Sequence, residues 1–278
     1  NCLVGSEMCI RDRLCRYLWD IIDCIGKNIN DDKKYFADKG NLSSNSKFFE
    51  KNSKKLINSQ NILIGKVEIQ PNVVLDATSG PIIIDDNVTI KSNTHLEGPL
   101  YVGNGSTISP LSYVKNSVIG PMCKIGGELN SVVIEGYTNK VHYGFLGNSY
   151  IGEWVNFGAG TTNSNLKNNY GKVRVQMNDE VFETNRIHLG CFIGDYVKTS
   201  IGTKINTGSV YGPGSMIFAK DFPPKNIPIM TWYTDSGVSR VDIDKFILSC
   251  HRIKKRRGVD FDIVEEQFYR KLFLKVEK

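Results

Sequence analysis

Four histidines, His95, His142, His188 and His251, are the side chains of this chain that trade a proton near neutral pH. Three of them read as structural. His142 differs, because it opens a run of the form HxxxLGxxxIGxxxNxGAG through Leu146-Gly147, Ile151-Gly152, Asn156 and Gly158-Ala159-Gly160. An imidazole can accept a proton near neutral pH, as base chemistry requires. Zinc chemistry is disfavoured: a three-histidine site with a HxxxxH pair has no counterpart here, and no metal ligand set is expected. The seven cysteines, at 2, 9, 15, 24, 123, 191 and 250, form no CxxC pair. An odd number without pairing motifs points to reduced thiols in a cytoplasmic compartment rather than a disulfide framework.

The elements that must hold His142 follow from composition and period. The chain has 278 residues, 40% hydrophobic and 23% charged, enough for a sizeable core. Its 26 Gly and 25 Asn are the unusual feature. Both residues tolerate left-handed backbone, so they predict many tight corners and argue against a helical bundle. The net charge of +6 is spread out apart from Lys254-Lys255-Arg256-Arg257, with no basic stripe interleaved with aromatics, which disfavours a nucleic-acid-binding role. No apolar run reaches the ~18 residues of a membrane span. The segment Leu14–Ile25 is broken by Arg16, Asp20 and Asp23, so it makes a poor signal peptide.

Ile84, Ile90, Leu96, Val102, Ile108 and Val114 are aliphatic residues spaced six apart without a break. Leu63, Ile69 and Leu75 keep that spacing before them. Ile119 and Ile125 follow after a slip, then Phe145, Ile151 and Phe157. Ile187, Ile193, Ile205 and Ile217 resume it, with Thr199 and Tyr211 between. A period of six matches neither a helix nor simple strand alternation; it predicts a hexapeptide β-solenoid whose aliphatic column fills the axis of a prism. Gly and Asn then occupy the corners. Residues 161–186 interrupt the period, with a hairpin expected from Lys172–Met177 and Val181–Asn185 around Asn178-Asp179. Such an excursion is a usual place for binding residues.

The domain expectation has four parts. Residues 1–13 are set aside, because Met8–Arg13 resembles the translation of a sequencing-library adapter. Residues 14–60 read as a helix and polar linker left from a missing N-terminal domain. Residues 61–235 form the solenoid, and 236–278 a helical tail. Phe246, Ile247, Cys250 and Ile253 suit one tail helix and Ile263, Val264, Phe268 and Leu272 a second, with Gly258 between them. Packing or trimer capping suits these helices better than a binding arm.

The stretch Gly126-Gly127-Glu128, Gly136–Thr161 and Asn163–Tyr170, with Asn206-Thr207-Gly208 and Phe222–Pro228, resembles the acyltransferase half of the bifunctional N-acetylglucosamine-1-phosphate uridylyltransferase/glucosamine-1-phosphate acetyltransferase family. It is most similar to a variant branch named for sugar nucleotidyltransfer. The resemblance implies a mainly β fold, a left-handed parallel β-helix of hexapeptide repeats, assembled as a homotrimer with sites between subunits. It implies acetyl transfer from acetyl-CoA to the amine of an amino-sugar phosphate such as glucosamine-1-phosphate, in nucleotide-sugar biosynthesis. His142 matches the general base and Glu128, fourteen positions earlier, an acidic residue that could orient it. Asn156 and Asn165 match asparagines that bind the sugar. Asn130 and Lys140 are assigned as further substrate-binding positions, and Ala159 and Lys172 as acyl-CoA-binding, the Ala159 N–H facing the thioester oxygen.

The departures carry weight. Where the family places an Arg and a Lys for the sugar phosphate, this chain has Ser112 and Asn130, and a pocket Tyr matches Phe145. Lys115, Lys124, Lys140 or Lys167 are candidates to compensate. Two other readings stay open: a non-catalytic trimerisation domain for a nucleotidyltransferase, or acyl transfer to another acceptor. The uridylyl-transfer half would need a Gly-rich phosphate loop, and nothing in 14–60 resembles one.

Overall fold

The computed structural model describes residues 15–38, 55–177 and 180–275. The adapter-like start, about half of the expected polar linker and the turn expected at Asn178-Asp179 lie outside the described residues. The described residues form a mainly β, parallel β-solenoid of about ten turns with three helices. Helix α1 spans Leu18–Asp38, α2 Ile243–Lys255 and α3 Ile263–Lys275.

Each coil lays short parallel strands on three faces. The first face stacks Ile62–Ile64, Ile82–Ile84, the ends of four longer strands, Cys191–Ile193, Ser209–Tyr211 and Asn226–Ile227. The second stacks Glu68–Ile69, Thr89–Ile90, Thr107–Ile108, Lys124–Ile125 and Asn139–Lys140, then Asn156 and Lys198–Thr199 by isolated bridges. The third carries Lys55–Ile57, Val74–Asp76 and the starts of the strands beginning at His95, Tyr113, Glu128 and Phe145. Among the described residues the earliest strand is Lys55–Ile57, paired in parallel with Val74–Asp76.

Alternation along each strand sends every second side chain to the axis. The unbroken series from Ile84 to Val114 is fully buried there. Three other members of the expected column face elsewhere. Ile62 and Ile64 fill the axis while Leu63 turns outward beneath α1. Leu146 takes the inward place beside Phe145, which faces out. Ile187 is exposed. A one-residue slip in any connection reverses which side chain points in, so phase does not carry across irregular corners. Among the described residues, seven of the fifteen non-glycine residues at positive φ are Asn, at corners such as Asn72, Asn93 and Asn148.

Helix α1 is longer than its sequence pattern suggests and runs on through residues expected as linker. Trp19, Ile22, Ile25 and Ile29 form its buried stripe. They pack over Leu63, Ile83 and Phe192 on the first face, and the hairpin Arg174–Met177/Glu180–Glu183 closes the same cluster with Val173 and Val175. Arg186 ties hairpin to helix: its Nη2 donates to Asp20 at 2.9 Å and also to Asp23. Partly exposed pairs of this kind are worth little individually. Arg186→Ala is therefore expected to cost about 1 kcal/mol or less, read as a small shift in the urea midpoint. A loss of several times that would mean the hairpin's docking depends on Arg186 and its two carboxylates.

The tail helices cover the corner between the first and second faces. Phe246, Ile247 and Cys250 of α2 and Tyr269 of α3 pack with Trp154, Tyr196 and Met230. Of the apolar residues expected for α3, Ile263, Val264 and Phe268 are exposed, and Tyr269 takes the inward place instead. No helix among the described residues is long and apolar enough to cross a membrane. Burial pushes the thiols of Cys123, Cys191 and Cys250 up to about 12.

Candidate active site

His142 stands on the corner between the second and third faces, in Val141–Gly144, directly after Asn139–Lys140. Glycines make this corner possible. A Cβ on Gly126, in the neighbouring coil, would lie 1.9 Å from the Val141 carbonyl oxygen. Gly127, at φ +84°, would place one 2.7 Å from the Gly144 carbonyl oxygen. On the other side, a Cβ on Gly144 would come within 2.3 Å of the Thr161 carbonyl oxygen. The three corners Gly126-Gly127, Val141–Gly144 and Gly158–Thr161 therefore lie in backbone contact along the prism.

The His142 imidazole is exposed and has no hydrogen-bond partner among the described residues. Tyr143, 75% exposed, lays its ring across Gly160 of the next corner. In that corner the Ala159 N–H makes no hydrogen bond among the described residues, although the Ala159 carbonyl accepts from Gly202 at 2.7 Å. An exposed imidazole and an unpaired N–H on successive corners can serve a proton-accepting and an oxyanion-binding role respectively.

Glu128 begins the strand after Gly126-Gly127, and its N–H donates to the Gly144 carbonyl at 3.2 Å. Alternation turns Leu129 inward and leaves Glu128 and Asn130 facing out on the third face. The Glu128 carboxylate is exposed and makes no hydrogen bond to His142, so the expected orienting contact is not made within the chain. Asn130 accepts from the Ser131 hydroxyl at 3.0 Å. Phe145, paired with Glu128 across the coils, spreads its ring over Gly147, where a Cβ would sit 2.3 Å from Phe145 Cζ. The Asn165 amide reaches the same place and donates to Asn148 at 2.7 Å. Glu128, Asn130, Phe145 and Asn165 thus share the face beside the His142 corner.

The other expected residues are elsewhere. Asn156 lies on the second face, accepting from the Asn139 amide at 3.3 Å. Lys172 is at the hairpin root, bonded to Asn185 at 2.8 Å. Ser112 is buried, its hydroxyl donating to the Ser109 carbonyl at 2.7 Å.

Lys140 requires a correction. It pairs with Ile125 in the axial column and is only 3% exposed, so it faces the interior and not a substrate. Its ammonium donates to the Gly126 carbonyl at 2.9 Å and the His142 carbonyl at 2.8 Å. Burial lowers its pKa to about 8. The six-residue period contained the signal, since Ile134, Lys140 and Leu146 are evenly spaced. Lys140 pins the backbone of the His142 corner to the corner below it. Among the described residues no cluster of His, Cys, Asp and Glu could hold a metal.

No protein-family model matches the chain. It is 38% identical over 168 residues to a bifunctional sugar-1-phosphate nucleotidylyltransferase/acetyltransferase of Sulfurisphaera tokodaii, an alignment covering 59% of this chain and 40% of that protein. It is 26% identical over 183 residues to the bifunctional protein GlmU of an Azoarcus species, covering 59% and 37% respectively. Among solved structures, AntD, an N-acyltransferase from Bacillus cereus, is 14% identical with a TM-score of 0.31, covering 78% of this chain and 98% of that one. The chain spans about two fifths of the length of the curated relatives it matches.

Proposed function

We propose that this chain is the acyltransferase part of a sugar nucleotidyltransferase-like protein, transferring an acyl group from acetyl-CoA to the amine of an amino-sugar phosphate such as glucosamine-1-phosphate. The observation that carries this reading is the unpartnered His142 imidazole, held on a stack of glycine corners one coil from the unpaired Ala159 N–H. The likeness to a nucleotidylyltransferase/acetyltransferase supports it.

In this reading the acceptor enters as a neutral amine beside His142. Its nitrogen attacks the thioester carbonyl, forming the C–N bond while the carbonyl oxygen gains charge against the Ala159 N–H. His142 takes the proton lost by the nitrogen, the C–S bond breaks, and the proton passes to the departing thiolate. Glu128, on the adjoining corner, steadies the imidazolium once substrate closes the gap. Asn165 lies by the third face and Asn156 on the second, so one copy does not turn both toward one sugar. That division supports a homotrimer, in which the second face of one copy meets the third face of another.

Purified protein with acetyl-CoA and glucosamine-1-phosphate should release free thiol in step with amide formation. No thiol release with any of a panel of amino sugars and their phosphates sinks the reading. The buried Ser112 and the missing cations favour the second reading, a non-catalytic trimerising domain, which that outcome would leave standing.

A further inference from the structure

Lys124, Asn139, Asn156 and Lys198 stand in one outward column on the second face, each on a successive coil. At the strand spacing of about 4.8 Å, two amides are thus flanked by two ammonium groups. The C-terminal end of α2 lies over this column and brings Arg256 and Arg257, the latter donating to the Asn139 carboxamide oxygen at 2.7 Å. These six residues line a cavity of about 300 Å³, within the size range of small-molecule sites. Trp154 and Tyr137, stacked at 4.2 Å, form another wall.

The charges here are one-sided. Four cations line the cavity and no carboxylate does. Lys124, Lys198 and Arg256 have no ion-pair partner among the described residues. Glu265 is held by Lys254 and by Tyr196 at 2.7 Å and does not line the cavity. Burial holds the Lys198 pKa below its ordinary value, with no carboxylate to offset it. Like charges gathered around a partly desolvated space are unfavourable unless an anion completes them.

We propose that this cavity is a phosphate-anion site formed by Lys124, Lys198, Arg256 and Arg257, replacing the cations absent at Ser112 and Asn130. Its place beside Asn156 suits a phosphate of either reactant, the amino-sugar phosphate or CoA. Which one it holds rests on the acyl-transfer reading; the anion site itself does not.

The test is calorimetric titration of the full chain with inorganic pyrophosphate, without turnover. The expected result is salt-sensitive binding, weakened about tenfold or more in the double variant Lys124→Gln/Arg256→Gln. The control Lys66→Gln/Lys91→Gln, which removes two exposed charges elsewhere on the coil, should bind like the parent. Displacement of pyrophosphate by glucosamine-1-phosphate but not glucosamine assigns the acceptor. Displacement by CoA but not dephospho-CoA assigns the donor. The site is overturned if pyrophosphate does not bind at millimolar concentration, or if both double variants weaken it equally. It is also overturned if the first variant only dissociates the oligomer, since the cations would then face another copy. Anion binding without any acyl transfer would leave the site standing and remove the enzymatic reading alone.

Discussion

Replacing His142 by alanine is expected to slow thiol release from acetyl-CoA by about 10²–10⁴-fold, the usual contribution of a positioned general base. The fold should survive, because the ring is exposed and contributes no hydrogen bond among the described residues. The backbone of the corner is held instead by stacked glycines and by Lys140 acting on the His142 carbonyl. Initial rates, with circular dichroism and sedimentation as checks on fold and assembly, decide the matter. Full activity in the variant would remove His142 as the base without touching the solenoid.

The second large effect concerns Lys140. Its pKa in the folded chain, about 8, is below the 10.5 of a solvated lysine. Between those values the unfolded chain binds more protons than the folded one, so stability rises with pH across that window. Below about pH 8 the cost of holding the charge in the prism is present in full. The gap corresponds to on the order of 3 kcal/mol. Lys140→Met should abolish this contribution, so the stability difference between parent and variant should change by about that amount between pH 7 and pH 10.5. Urea unfolding at both pH values, at one protein concentration, measures it. The buried thiols of Cys123 and Cys191 act with the opposite sign above pH 9, but equally in both proteins, and cancel in the difference. A flat difference would mean that Lys140 is not held inside the prism.

Much of this architecture was legible along the chain. A six-residue aliphatic period with abundant Gly and Asn specifies a solenoid because each coil repeats one local solution: an inward side chain, a short strand and a corner. The hairpin at 174–183 and two tail helices were readable for the same reason, as local patterns. Phase was not. Leu63, Phe145 and Ile187 fit the count of six yet face outward or stay exposed, because single-residue slips at irregular corners reset the alternation. Helix α1 was underestimated because its second half is polar in sequence, whereas Ile29 and Phe36 continue the stripe that docks on the first face.

The candidate site divides along the same line. His142, Glu128 and Asn165 were expected from the resemblance, and in the fold they lie on or beside one corner. Lys140 was expected at a substrate because an ammonium in sequence looks like a surface charge, although it keeps the six-residue spacing with Ile134 and Leu146 and its register against Ile125 turns it inward. Of the cationic cavity only the basic run Lys254–Arg257 was visible in sequence; that its last two residues meet Lys124 and Lys198, which come from different coils, was not. What the sequence by itself determined is the repeating coil, because a repeat is set by forces between near neighbours. Which side chains face one another was decided by the stacking of the coils and the docking of the helices. Those contacts join residues far apart in the chain, and one slipped corner is enough to change them.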